Sequence, residues 1–178
     1  MARAQFAKKT RKAIPDAGIK VGDSYYWWKF RFGGKRYSKT APKRSQLTQS
    51  DFYGQIYDIE DEIAELDADD SLPSCVEDIA SRIREIGDEC EEKRGNMPEQ
   101  LQDSASGELL QERKDACDSA ADELEAIDFG EFEPDEEETT KARAEDKDAP
   151  EVNDEGATEE EYWQAKLEEV QDISIDAP

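Results

Sequence analysis

The stretch Ser24-Tyr25-Tyr26-Trp27-Trp28-Lys29-Phe30-Arg31-Phe32 interleaves aromatic rings with cations, and Lys35, Arg36 and Lys39 follow it closely. Cations in this setting contact phosphate oxygens and exposed rings stack on bases, which is the chemistry of non-covalent nucleic-acid recognition. The candidate binding residues are Tyr25 and Trp27 as stacking rings, with Lys29, Arg31, Lys35, Arg36 and Lys39 as phosphate contacts. Lys8, Lys9, Arg11 and Lys12 form a basic arm that adds attraction independent of base sequence. Two other readings fit the same residues. The cations pair with carboxylates of this or another protein, or they solubilise a hairpin face and blunt its edge.

Bond-making chemistry finds no such footing. The chain has no histidine, which removes the commonest general base and zinc nitrogen ligand. Cys75, Cys90 and Cys117 are too sparse for a disulfide framework and wrongly spaced for a zinc site. They point to a reducing, cytoplasmic setting. Neither a phosphate-binding glycine loop nor a nucleophile elbow is present. No catalytic residue, metal or cofactor is expected, and no small-molecule substrate is evident.

The charge is strongly segregated. Residues 1–45 hold 13 Lys or Arg against two acidic residues, whereas residues 46–178 hold ten against 45. The net charge of −24 disfavours nucleic acid or anionic lipid over most of the surface and leaves the basic head as the exception. With 35% hydrophobic and 39% charged residues the core must be thin, and part of the chain is expected to lack order. No apolar run approaches membrane-spanning length, and the basic N-terminus lacks the apolar centre of a secretory signal.

Residues 24–40 read as a β-hairpin with Gly33-Gly34 as a two-residue turn. That turn sets Phe32 against Lys35, Arg31 against Arg36, Phe30 against Tyr37 and Lys29 against Ser38. One face then gathers Tyr26, Trp28, Phe30, Phe32 and Tyr37 for docking. The other gathers Lys29, Arg31 and Arg36 beside Tyr25 and Trp27. Like charges opposed across strands are destabilising, which suggests a counter-anion.

The run Lys20-Val-Gly-Asp-Ser-Tyr-Tyr-Trp-Trp-Lys-Phe-Arg-Phe-Gly-Gly-Lys-Arg-Tyr-Ser-Lys-Thr40, with Arg44-Ser-Gln-Leu-Thr-Gln-Ser50, resembles the N-terminal region of small uncharacterised bacteriophage-encoded proteins. The resemblance implies a phage or prophage setting, hence a host cytoplasm, and no specific activity. A shorter likeness is to arm-type DNA-binding hairpins of phage integrases, without any recombinase catalytic segment.

Apolar residues at three- and four-residue steps predict three helices, at about 48–67, 75–94 and 107–128. Their seams are Phe52-Ile56-Ile59-Ile63-Leu66, then Val76-Ile79-Ile83-Ile86-Cys90, then Leu110-Arg113-Cys117-Ala120-Leu124-Ile127. Thr48 and Ser74 are the expected caps of the first two. Residues 131–157 read as a disordered acidic linker, and Thr158-Glu-Glu-Glu161 starts a short last helix in 158–178. The expected fold is mainly α with a small β-hairpin: a basic module (1–45), an acidic antiparallel bundle or long helical hairpin (46–130), the linker, and the final helix and tail.

Three functions fit this layout. The first is a phage-type accessory protein that contacts DNA or RNA through the hairpin, its acidic body self-associating or recruiting protein. The second is an interaction protein whose acidic helices imitate nucleic-acid charge and occupy a basic host protein. The third is a structural or assembly role as a homo-oligomer.

Overall fold

Alternation from Tyr25 to Lys29 does produce a strand, but it is the middle one of three. The computed structural model describes residues 1–146, 148–175 and 177–178, and it is mainly helical with one small antiparallel sheet. Strands β1 (Gln5–Ala7), β2 (Tyr25–Lys29) and β3 (Lys35–Ser38) lie in the order β1-β2-β3. β1 comes from the basic arm, and three residues are too few for alternation to reveal it. It supplies the third strand that an isolated ribbon lacks.

The chain between β1 and β2 is tied back on itself. Thr10 N–H donates to the Asp23 carbonyl at 2.9 Å, Gly22 N–H donates to the Thr10 carbonyl at 3.0 Å, and Ile14 bridges Ile19. Gly18 and Gly22 take positive φ here, the conformation that glycine adopts without strain.

The chain divides into two compact units, Met1–Asp61 and Glu62–Pro178. The first carries 13 Lys or Arg against six acidic residues, and the second ten against 41. In the first, Ile19, Trp28, Phe30, Phe52, Ile56 and Ile59 are buried. Helix α1 (Asp51–Ala64) runs through the division. It begins later than expected because Thr48 accepts from Ser50 N–H at 3.1 Å, leaving Ser50 Oγ to accept from Tyr53 N–H at 3.4 Å.

In the second unit, α2 (Leu72–Gly95) and α4 (Ala105–Glu125) pack against each other, with the short α3 (Glu99–Gln102) between them. Their contacts run in opposite directions. Arg84 reaches Asp122 and Glu125, a Cβ on Gly87 would lie 3.2 Å from Cys117, and Arg94 donates to Gln111. The pair is therefore an antiparallel helical hairpin. All five residues of the α2 seam are buried, as are Cys117, Ala120 and Leu124 of α4. Arg113, placed on the α4 seam by spacing, donates its Nε–H to the Pro178 carbonyl at 3.1 Å.

α2 starts two residues before Ser74, the expected cap. Pro73 sits in its first turn, where a missing N–H is not needed, so Leu72 joins the core. At the entry to α4, any side chain on Gly107 would collide with the Gln102 backbone.

Residues 131–157, expected to be disordered, carry α5 (Glu136–Glu145). Local polar bonds that leave no hydrophobic period order this stretch. The Asp135 carboxylate accepts from the N–H groups of Glu137 and Glu138 at 2.9 and 2.8 Å. Buried Thr139 accepts from Val152 N–H at 3.1 Å, and Val152 bridges Thr158. α6 (Glu159–Gln171) opens on the expected Thr158–Glu161 capping box and buries Trp163, Leu167 and Val170.

Two outcomes follow from this packing. Ile83 is fully buried, so Ile83→Ala should lower stability by about 3 kcal/mol in urea unfolding. Burial pushes the Cys117 thiol up to about 12 and raises Cys90 as well. At about pH 8 a thiol reagent should therefore modify half-buried Cys75 first, reaching the other two only on unfolding.

Candidate nucleic-acid interface

The pairing of β2 with β3 decides what the sheet presents. Tyr26 faces Ser38, Trp27 faces Tyr37, Trp28 faces Arg36 and Lys29 faces Lys35. Because opposed residues share a face, one side of the sheet holds Tyr25, Trp27, Lys29, Lys35 and Tyr37, with Gln5 and Ala7 from β1. The other side holds Phe6, Tyr26, Trp28, Arg36 and Ser38.

This register corrects the two-residue turn. Strand pairing stops at Lys29–Lys35, so five residues, Phe30 to Gly34, make the connection. Neither Gly33 nor Gly34 takes positive φ. The wider loop lets Phe30 turn inward, where it is 7% exposed. Burying a phenyl ring stabilises by roughly 2–3 kcal/mol, more than a favourable glycine turn supplies. Phe32, expected on the docking face, is instead 81% exposed at the tip. Tyr37, also expected on that face, joins Trp27 on the opposite one.

Four of the seven candidate residues, Tyr25, Trp27, Lys29 and Lys35, therefore come together. Tyr25 and Tyr37 have ring centroids 6.0 Å apart, and the Lys35 ammonium lies 4.4 Å over the Trp27 ring. The three rings are half-buried and the two lysines exposed. Arg31 is in the loop, 5.2 Å over Phe32. Arg36 lies on the opposite face, 5.5 Å over Phe30. Lys39 follows β3 and pairs with Asp23 at 3.6 Å. That carboxyl lies below the usual range, first because it accepts from Lys20 N–H and then because Lys39 is near. Tyr37 is the member of the face that sequence reasoning left out, and only the correct register identifies it.

The cations of the sheet are uncompensated. Among the described residues no carboxylate forms an ion pair with Lys29, Arg31, Lys35 or Arg36. Arg44, in the same unit, does take one, donating to Glu60 at 2.6 Å while lying over Tyr57. Lys29 directly opposite Lys35 costs on the order of 0.2–1 kcal/mol through like-charge repulsion. The lysine over Trp27 offsets a similar amount by its attraction to the ring.

The described residues contain no group of three His, Cys, Asp or Glu side chains able to hold a metal ion. No described helix is long and apolar enough to cross a membrane. Comparison with known proteins finds no matching family model, no similar curated protein and no similar solved structure.

Lys29→Glu places a carboxylate opposite Lys35. It should raise the midpoint of unfolding at low salt by an amount equivalent to about 0.5 kcal/mol, and the gain should shrink as salt is added. Thermal unfolding followed by tryptophan emission at low and high salt measures this.

Proposed function

We propose that this chain contacts nucleic acid through the Tyr25, Trp27, Lys29, Lys35 and Tyr37 face of its sheet, and that it works by binding rather than catalysis. The observation that carries this reading is the pair of opposed lysines that no carboxylate pairs with among the described residues, in a chain rich in acidic side chains. A strand of phosphates relieves that repulsion, and half-buried rings beside it suit base stacking. Arg31 at the loop tip and the exposed arm residues Lys8, Lys9, Arg11 and Lys12 extend the same field. The likeness of residues 20–50 to phage-encoded proteins supports a phage setting, and with it a host cytoplasm.

The acidic unit supports a second role. Arg82, Arg84, Lys93, Lys114, Lys141, Arg143 and Lys166 are held by its own carboxylates, so the large remaining negative charge has no internal match. Such a surface suits recruitment of a basic protein, or repulsion of competing polyanions from all but the sheet.

Fluorescence anisotropy with labelled single- and double-stranded oligonucleotides tests the main reading. Binding should weaken steeply with salt, and Lys29→Ala with Lys35→Ala should lower the log–log salt slope by about 0.7–0.9 for each phosphate that is no longer neutralised. Trp27→Ala should weaken binding while leaving that slope nearly unchanged, because stacking releases no counterions. Salt-insensitive binding, or none to any oligonucleotide, rules the reading out.

A further inference from the structure

β3 is an edge strand, and a cleft of about 410 Å³ lies against it within the basic unit. Residues from both faces of the sheet line it: Lys35 and Tyr37 from one, Trp28 and Arg36 from the other. Gln46, from the 3-10 turn Ser45–Leu47, and Asp16, from the 3-10 turn Pro15–Ala17, complete its polar wall. Trp28 is 4% exposed, and its indole Nε1–H has no hydrogen-bond acceptor among the described residues. A buried donor without an acceptor is sensitive to any change in the field around it, so the indole reports on what enters the cleft that Trp28 lines.

Building on the nucleic-acid reading above, we propose that this cleft is a phosphate seat, in which Arg36 and Lys35 supply charge, the Gln46 amide supplies a neutral donor and the Trp28 indole forms part of the wall. The wall needs an acceptor group. It offers two cations, the Gln46 amide and the Tyr37 hydroxyl against one carboxylate, and an oxyanion is the chemistry that satisfies them together. Two sources share that chemistry: a phosphate in a polynucleotide backbone and a free phosphate ion. The backbone source is favoured because Lys35 and Tyr37 belong to both the cleft and the stacking face. A strand crossing that face toward β3 passes the cleft, and a seated phosphate fixes where its bases fall. Arg36 thereby regains a role: it lies on the opposite face from Trp27, and reaches the polymer at the sheet's edge. Asp16 opposes the anion and limits how deeply it settles.

The test uses full-length ¹⁵N-labelled protein and follows its three indole N–H resonances, assigned through the backbone. Inorganic phosphate added at constant ionic strength should move the Trp28 resonance to saturation and leave Trp163 in place. Arg36→Ala and Gln46→Ala should each weaken the response several-fold, and Asp16→Asn should strengthen it. A Trp28 resonance that stays still, or follows sodium chloride equally, overturns the seat. A second titration compares an oligonucleotide with one whose linkages are uncharged methylphosphonates. Movement with the first alone supports the backbone source, and movement with inorganic phosphate but neither oligonucleotide overturns it. The two readings fail separately. Oligonucleotide binding by anisotropy with an unmoved Trp28 sinks only the seat, and a phosphate response without oligonucleotide binding sinks only the nucleic-acid reading.

Discussion

Burial of Trp28 and Phe30 fixes how β2 pairs with β3, and that register governs everything the basic unit can present. Sheet side chains alternate with a period of two, so an odd slip exchanges the faces of one strand relative to its neighbour. With a tight glycine turn, Arg31 would oppose Arg36 and Tyr37 would lie beside Phe30. The five-residue loop instead pairs Tyr37 with Trp27 and Lys29 with Lys35, gathering three rings and two ammonium groups on one side. The hydrophobic anchor thus selects the polar face, although none of its atoms belongs to that face.

The acidic unit follows a different logic. Its antiparallel pair is held by the Val76, Ile79, Ile83, Ile86 and Cys90 seam against α4, and its ion pairs are mostly exposed. Exposed pairs contribute little each, so the apolar seam must carry the stability. Arg84 is the best placed of them, with its Nε–H and Nη2 donating to Glu125 at 3.0 and 2.7 Å and Nη2 also meeting Asp122. First the bonds to Glu125 and then those to Asp122 raise its affinity for its proton, and the bond from Arg84 lowers the pKa of Glu125 in turn. These contacts set the register of α2 on α4 more than they strengthen it.

The helices are legible in the sequence because their seams repeat for several turns, and every position of the Val76 to Cys90 seam is buried. The sheet is legible only in part. Alternation sorts Tyr25 to Lys29 correctly, but it continues through Phe30 to Phe32, where the backbone has already left the strand. Turn chemistry then misplaces the register, because a Gly-Gly pair is a strong local signal and core burial is a non-local one. β1 is too short to alternate. α5 is set by an Asp135 cap, a buried Thr139 and the Asn153 turn, which are polar bonds rather than a pattern of hydrophobicity. For the candidate site, residue types single out the β2–β3 pair, while the membership of Tyr37 on the Trp27 face and the separation of Arg36 from it require the third dimension.

The Phe32 ring stands in solvent at the tip of the β2–β3 loop, beside a strand whose outer edge has no neighbouring strand in the sheet. An exposed aromatic next to an open edge invites copies of a protein to stack into fibres. Arg31 over that ring and Lys35 and Arg36 along the edge act as gatekeepers, since a second copy would bring the same charges into register. The cations that make this end attractive to an anion also keep it from sticking to itself, and neutralising them without supplying a partner would remove that protection.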